Sequence, residues 1–383
     1  STVSGTSTAI ASGSCGENLT WTLDENGVLT ISGTGAMTDY EHVLAPWHEH
    51  RDKIKTVVIK SGVTSIGSEA FRYCTSLTSV TIPESVTSIG NHVLNASSLT
   101  SIEVASGNEH YSSLDGVLFN KDATELVRFP GGRAGTYTIP DSVTIIGDYA
   151  FYYCQALTSV TIGSGVTSIG ESAFDDCAAL TSVTIPNSVT SIGDGAFSNC
   201  TALTSVTIPD SVTSIGDHTF YSCTSLASVT IPDSVTSIGS YAFSDCTSLT
   251  SVTIPDGVAD IGWYTFQKCY GLAYVTIGSG VRYIREGAFD FCDGITDVYY
   301  RGTRAQWQAI RIEKYNDFLL SAELHCRAAV IASGSCGESL TWTLDENGLL
   351  TVSGTGAMAD YDCLGDKPAP WDEHRDKIKT VLI

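Results

Sequence analysis

The residues of this chain best suited to chemistry recur at one fixed interval. Cys154, Cys177, Cys200, Cys223, Cys246, Cys269 and Cys292 stand 23 residues apart. Asp148, Glu171, Asp194 and Asp217 keep the same step, and so do Asp210, Asp233 and Asp256. A row of thiols could form disulfides or hold a soft metal, and a row of carboxylates could hold calcium, which favours oxygen ligands. Geometry opposes the disulfide. Residues at one repeat position of stacked coils point the same way about 4.8 Å apart, and parallel Cβ vectors suit a torsion near 90° poorly. No Cys-x-x-Cys pair supports zinc. The row therefore reads as buried, reduced thiols acting as small hydrophobes. Cys15, Cys326, Cys336 and Cys363 lie outside it, and the sequence does not fix their redox state. The carboxylates have ordinary roles open to them: Asp after Pro is turn chemistry, and the first row sits where a helical turn would take its N-cap. No metal or cofactor is assigned, with calcium on the acidic rows as the alternative.

Catalysis finds little support. His48 and His50 in WHEHRD are the nearest approach to a metal pair, but a second copy of this segment reads WDEHRD, so both are read as surface residues of a cap. No Gly-x-Ser-x-Gly, phosphate-binding loop or His-Glu-x-x-His occurs. The chain is expected not to be an enzyme. Its individuality lies in aromatic residues that vary between otherwise repetitive segments: Tyr149, Tyr152, Tyr153, Tyr221, Tyr241, Trp263 and Tyr264, with His218, Tyr270 and Phe291 nearby. Aromatics exposed on adjacent coils suit protein or glycan recognition. The plainer alternative is that large side chains shield the gaps between coils.

These residues are carried by a repeat. Counting the leading apolar residue as position 1, copies start at Ile54, Leu77, Ala134, Leu157, Leu180, Leu203, Leu226, Leu249 and Leu272. Apolar residues occupy positions 1, 4, 6, 10, 13, 17, 18 and 21. The first stretch, Leu-x-x-Val-x-Ile-Pro, is β-branched and closed by a proline that cannot donate to a ladder. A second extended run, Val-Thr-Ser-Ile-Gly, follows, and then one helical or 3₁₀ turn carrying an Ala-Phe pair. Phe151, Phe174, Phe197, Phe220, Phe243, Phe266 and Phe289 share position 18 and are expected to stack as the core spine. One coil cannot bury its own apolar side, so the coils are expected to stack into a mainly β solenoid.

The pattern L-x-x-V-x-I-P-x-x-V-x-x-I-G-x-x-A-F-x-x-C, as in residues 180–200, resembles the leucine-rich repeat of BspA-type bacterial surface proteins. The resemblance covers roughly residues 54–300. Departures are local: the copy at Leu77 is one residue short, with Val93-Leu94 for Ala-Phe and Ser97 for Cys; Thr219 and Thr265 replace the Ala; Arg285 replaces the Gly. The resemblance implies a secreted or surface-displayed module that adheres to protein or glycan partners. A structural spacer within a larger surface protein is the alternative.

The organisation expected is a β-hairpin cap over 1–53 and an array over 54–294, with a hairpin insertion at about 105–133 built around NKDAT. A closing segment over 295–330, with a helix at 304–311 capped by Thr303, follows. Residues 11–35 reappear at 332–356, and 45–59 at 369–383, so 331–383 reads as a second cap opening a truncated array, able to self-associate, and the chain as a fragment of a longer protein. Its start, STVSGTS, shows no export signal, which is expected to be removed or to lie outside this sequence. With 42 acidic against 20 basic residues and a net charge of −22, nucleic acid is an unfavourable partner. No apolar run approaches the ~20 residues of a membrane helix, so membrane insertion is not expected.

Overall fold

The computed structural model describes residues 7–41, 43–94, 98–361 and 368–383. Ser97 and Cys363 lie outside the described residues. The coil opening at Leu203 represents the array. Its first strand, Ser205–Thr207, turns Val206 inward and Ser205 and Thr207 outward, the alternation that a β-strand imposes. Pro209 follows, and the short strand Ser214–Ile215 turns the chain along a second side. First strands pair in parallel with the next coil in register, Ser205 with Ser228 and Val206 with Val229. Short strands do likewise, Ser214 with Ser237 and Ile215 with Ile238. A fixed period with in-register pairing places each side chain above its own counterpart.

The third side carries the i to i+3 bonds of a 3₁₀ turn, with left-handed residues interposed. Ala150, Tyr152 and Cys154 donate back to Gly147, Tyr149 and Phe151, whereas Tyr149, Phe151 and Tyr153 donate to Glu171, Ala173 and Asp175 of the next coil at 2.7–2.9 Å. Backbone amides on this side thus alternate between closing the turn and joining the coils. The acidic residue at position 15 does not cap its own turn. Asp148, Asp194 and Asp217 accept the backbone N–H of Glu171, Asp217 and Ser240, each at position 15 of the following coil.

Threonines at three corners tie the coils further. The hydroxyls of Thr181, Thr190 and Thr224 donate to the carbonyls of Thr158, Thr167 and Thr201, each one coil earlier. Inside, Phe151, Phe174 and Phe197 stack at 4.7 and 5.1 Å with their rings within 9° of parallel, and the column continues to Phe289. The cysteine row is buried and unbridged, and Cys15, Cys74, Cys326 and Cys336 are also free. Each thiol in the row does more than fill space: Cys177, Cys200 and Cys223 donate to the carbonyls of Phe151, Phe174 and Phe197 at 3.1–3.2 Å. The departures from the pattern are absorbed locally. Val93 and Leu94 are buried, while the Thr219 and Thr265 hydroxyls are satisfied by the Gly216 and Gly262 carbonyls.

At the N-terminal end, strands Ala9–Gly16, Leu19–Asp24 and Val28–Gly33 form an antiparallel meander whose last member pairs in parallel with Thr56–Ile59. Asp24 accepts the amides of Asn26 and Val28 at the turn, and Gly27 supplies its positive φ of 85°. Trp47 lies over Phe71, 5.7 Å away, and continues the spine.

The insertion holds three strands rather than one hairpin: Tyr111–Leu114, Val117–Asn120 and Glu125–Arg128. The first two turn at Asp115-Gly116 and the last two at the foreseen NKDAT, where Asn120 accepts the amides of Thr124 and Glu125. Glu125–Arg128 then pairs in parallel with Ile145–Ile146 and serves as a short strand of the array. Leu118 packs into the N-terminal core and Val117 and Phe119 into the main one.

In the closing segment the helix spans Arg304–Gln308, shorter than expected, with a capping box between Thr303 and Gln306. Arg311–Ile312 is a strand extending the short-strand sheet instead. A second helix, Asp317–Ser321, is followed by Glu323–Cys326 pairing in parallel with Asp297–Tyr300. Residues Val330–Ser335, Leu340–Asp345, Leu349–Gly354 and Thr380–Leu382 repeat the N-terminal arrangement around a separate core containing Trp342.

Candidate functional site

The turn side of the array displays one residue per coil at position 16, and the backbone there is left-handed throughout. Tyr149, Ser172, His218, Tyr241 and Tyr264 have φ between 48° and 57°, and Gly195 and Gly287 have 62° and 63°. This region disfavours most L-residues, so the coil-to-coil bonds of the adjoining amides hold it. Where the residue is aromatic, the rings form a column along the solenoid axis. His218 stacks on Tyr241 at 4.9 Å and Tyr241 on Tyr264 at 5.1 Å. Tyr221 meets His218 edge-on at 5.7 Å. The Tyr264 ring in turn covers Gly287, where an added Cβ would lie 2.4 Å from it.

The residues singled out from the sequence fall into two groups. Tyr221, Tyr241, Trp263 and Tyr264 belong to the column and its flank. Trp263 is 51% exposed, and the guanidinium of Arg285 lies 5.6 Å from its ring and 4.8 Å from that of Tyr283. Two hydrogen bonds from Nε to the Asp260 carboxylate hold Arg285 there. The second group is Tyr149, Tyr152 and Tyr153, joined by His92, whose ring is 4.1 Å from that of Tyr149 and 5.6 Å from that of Tyr152. Ser172 and Gly195 separate the groups and leave a shallow hollow of about 260 Å³ rimmed by Asp175, Asp194 and Asp217.

Carboxylates at position 15 complete the column chemically. Tyr149 donates to Glu171 at 2.8 Å and Tyr264 to Glu286 at 3.2 Å. Burial, helped by Glu171, pushes the Tyr149 phenol up to about 12. These phenols stay protonated at neutral pH and present π-faces. Burial likewise raises the Asp175 and Asp176 carboxyls. Tyr270 and Phe291 are exposed outside the column, at 47% and 51%.

Other candidates resolve differently. His48 contacts the Arg51 guanidinium at 2.8 Å, which ties it to the cap. One grouping escaped sequence reading: Asp297, Glu323 and His325, whose ligand-capable atoms lie within 4.8 Å of one another. It arises from the pairing of the closing strand, off the 23-residue period, so spacing gave no signal. His325 Nε2 sits 2.7 Å from Asp297 Oδ1. The Thr296 hydroxyl and His325 hold the Asp297 carboxyl below its ordinary range.

Among the described residues no helix is long and apolar enough to cross a membrane. No curated protein matches the chain. A solved leucine-rich repeat protein from Eubacterium ventriosum ATCC 27560 is 30% identical over 73% of this chain and 95% of that one, with a TM-score of 0.53. A leucine-rich cell surface protein from Faecalibacterium prausnitzii A2-165 is 26% identical over 79% and 98% of the two chains, with a TM-score of 0.43. The T. pallidum leucine-rich repeat protein is 26% identical over 59% and 100%, with a TM-score of 0.44. Residues 48–131, 129–226 and 190–309 match the family described as BspA type leucine-rich repeat region, in six copies. With that match running through the coils whose in-register stacking builds the solenoid, the chain belongs to the BspA-type leucine-rich repeat family.

Proposed function

We propose that this chain is a non-catalytic binding module, secreted or displayed on a bacterial surface, that engages a protein or glycan through the aromatic column on its turn side. The observation that carries the reading is the identity of the residues at the left-handed position. Gly195 and Gly287 adopt the same backbone at less conformational cost, so the fold does not need aromatic rings at Tyr241 and Tyr264. Rigid rings set at coil spacing beside an exposed Trp held by Arg285 supply contact area at little entropic cost. The spacer alternative draws on the threonine ladders, which would stiffen a rod without a partner. Copies of this fragment self-associate through the strand Thr380–Leu382, whose outer edge a following coil would cover in a longer chain. Val57 of the N-terminal copy is fully buried by the following coil, whereas its counterpart Val381 is 52% exposed, and an uncovered strand edge is a template for pairing.

Screening the chain against extracellular-matrix proteins and glycans, beside a Tyr241→Asn/Trp263→Ala/Tyr264→Asn variant, separates the readings. Asn tolerates the left-handed backbone, so the variant removes rings while keeping the turn. A partner lost by the variant supports recognition. No partner for the intact chain supports the spacer.

A further inference from the structure

Where the insertion replaces the turn side of a coil, the array leaves a cavity of about 450 Å³. Arg128 lines it. The strand alternation of Glu125–Arg128 aims Leu126 and Arg128 inward; Leu126 pairs with Ile146 and takes the aliphatic place of the short strand, and Arg128, two residues on, buries a cation behind it. Its guanidinium donates to the carbonyls of Tyr149, of Tyr152 at 2.9 Å and of Leu94 at 3.4 Å. Arg128 is only 6% exposed, and its Nε has no hydrogen-bond partner. Among the described residues no carboxylate forms an ion pair with it. A buried charge with an unused donor is costly unless something neutralises it.

We infer that this cavity is a binding site for an acidic sugar residue, of uronic or sialic type, whose carboxylate faces Arg128. Its volume falls in the range of small-ligand pockets, roughly 300–1,000 Å³. Tyr111 and Tyr149 offer aromatic faces, and His110 and Asn120 offer polar groups for hydroxyls. Glu125 and Asp148 also line it. They accept hydrogen bonds from sugar hydroxyls but repel a multiply charged phosphate, so a monoanion rich in hydroxyls matches the walls best. This site is independent of the Tyr241–Tyr264 column, and its success or failure leaves that reading where it stands.

The test is saturation-transfer NMR and calorimetry on the full chain with methyl glucuronide, N-acetylneuraminic acid and neutral methyl glucoside, each to about 10 mM. Both acidic sugars, or one of them, should bind, and the arm that responds identifies the source. His110→Ala, at an exposed position, should weaken that binding by about fivefold, the usual worth of one hydrogen bond between neutral groups. Glu125→Gln should strengthen it by about threefold by removing a nearby like charge and should not strengthen the binding of methyl glucoside. Tyr241→Asn should change nothing. Arg128→Met should abolish binding if it folds, and the His110 and Glu125 variants decide the matter if it does not. Binding of neither acidic sugar, equal binding of methyl glucoside, tighter binding of inorganic phosphate, or indifference to both His110→Ala and Glu125→Gln would each overturn the assignment.

Discussion

Phe197 shows what a period can and cannot disclose about a single residue. Its phase beside a turn marked it as core, and it lies wholly buried between Phe174 and Phe220. Phe197→Ala should cost about 3–5 kcal/mol, because neighbouring rings fixed by the stack cannot collapse into the cavity. Urea denaturation measures this, and a loss under ~1 kcal/mol would contradict the spine. Cys223 was equally legible as buried, but its S–H bond to Phe197 was not, since that depends on the offset between adjacent coils. Burial pushes the Cys223 thiol from 9.0 to about 12. The folded state then holds a proton that the unfolded state loses, so this stability is complete below about pH 9 and drains as pH rises toward 12. Between pH 8 and 10.5 wild-type stability should fall more steeply than that of Cys223→Ala, by at most ~1.4 kcal/mol per pH unit. Equal slopes would mean a thiol open to water. The aromatic positions were readable as variable but not as left-handed, because φ leaves no trace in residue type once coil-to-coil bonds enforce it.

At the level of elements, strand positions followed from β-branched spacing and proline, whereas the acidic row did not. Position 15 looks like an N-cap, and only the stacked geometry shows its carboxylate serving the next coil. Asp194→Ala should therefore cost ~1 kcal/mol and speed hydrogen exchange at the Asp217 amide, one coil away, while Asp194→Asn restores both. Faster exchange confined to the Asp194 turn would restore the capping role. The closing segment was the least legible element. Its second helix and the Asp297, Glu323 and His325 grouping follow no repeat, so there was no periodicity to read, and the insertion strand Tyr111–Leu114, which precedes the hairpin expected around NKDAT, was missed for the same reason.

Across the whole molecule, the described residues form two core clusters along the array and a separate one in the C-terminal unit. Removing residues 331–383 should leave the array folded by circular dichroism and abolish self-association by light scattering. Unfolding of the array would make that unit an integral cap, and an unchanged oligomeric state would place association elsewhere. The array presents the His218–Tyr241–Tyr264 column on its turn side, and recognition by that column is the central claim. It is tested most directly by the affinity, measured by surface plasmon resonance, of the chain and of its Tyr241→Asn/Trp263→Ala/Tyr264→Asn variant for a partner recovered by screening. Three aromatic contacts at a hot spot predict a loss of at least about 100-fold with the fold intact. An affinity unchanged by the loss of all three rings would contradict the account.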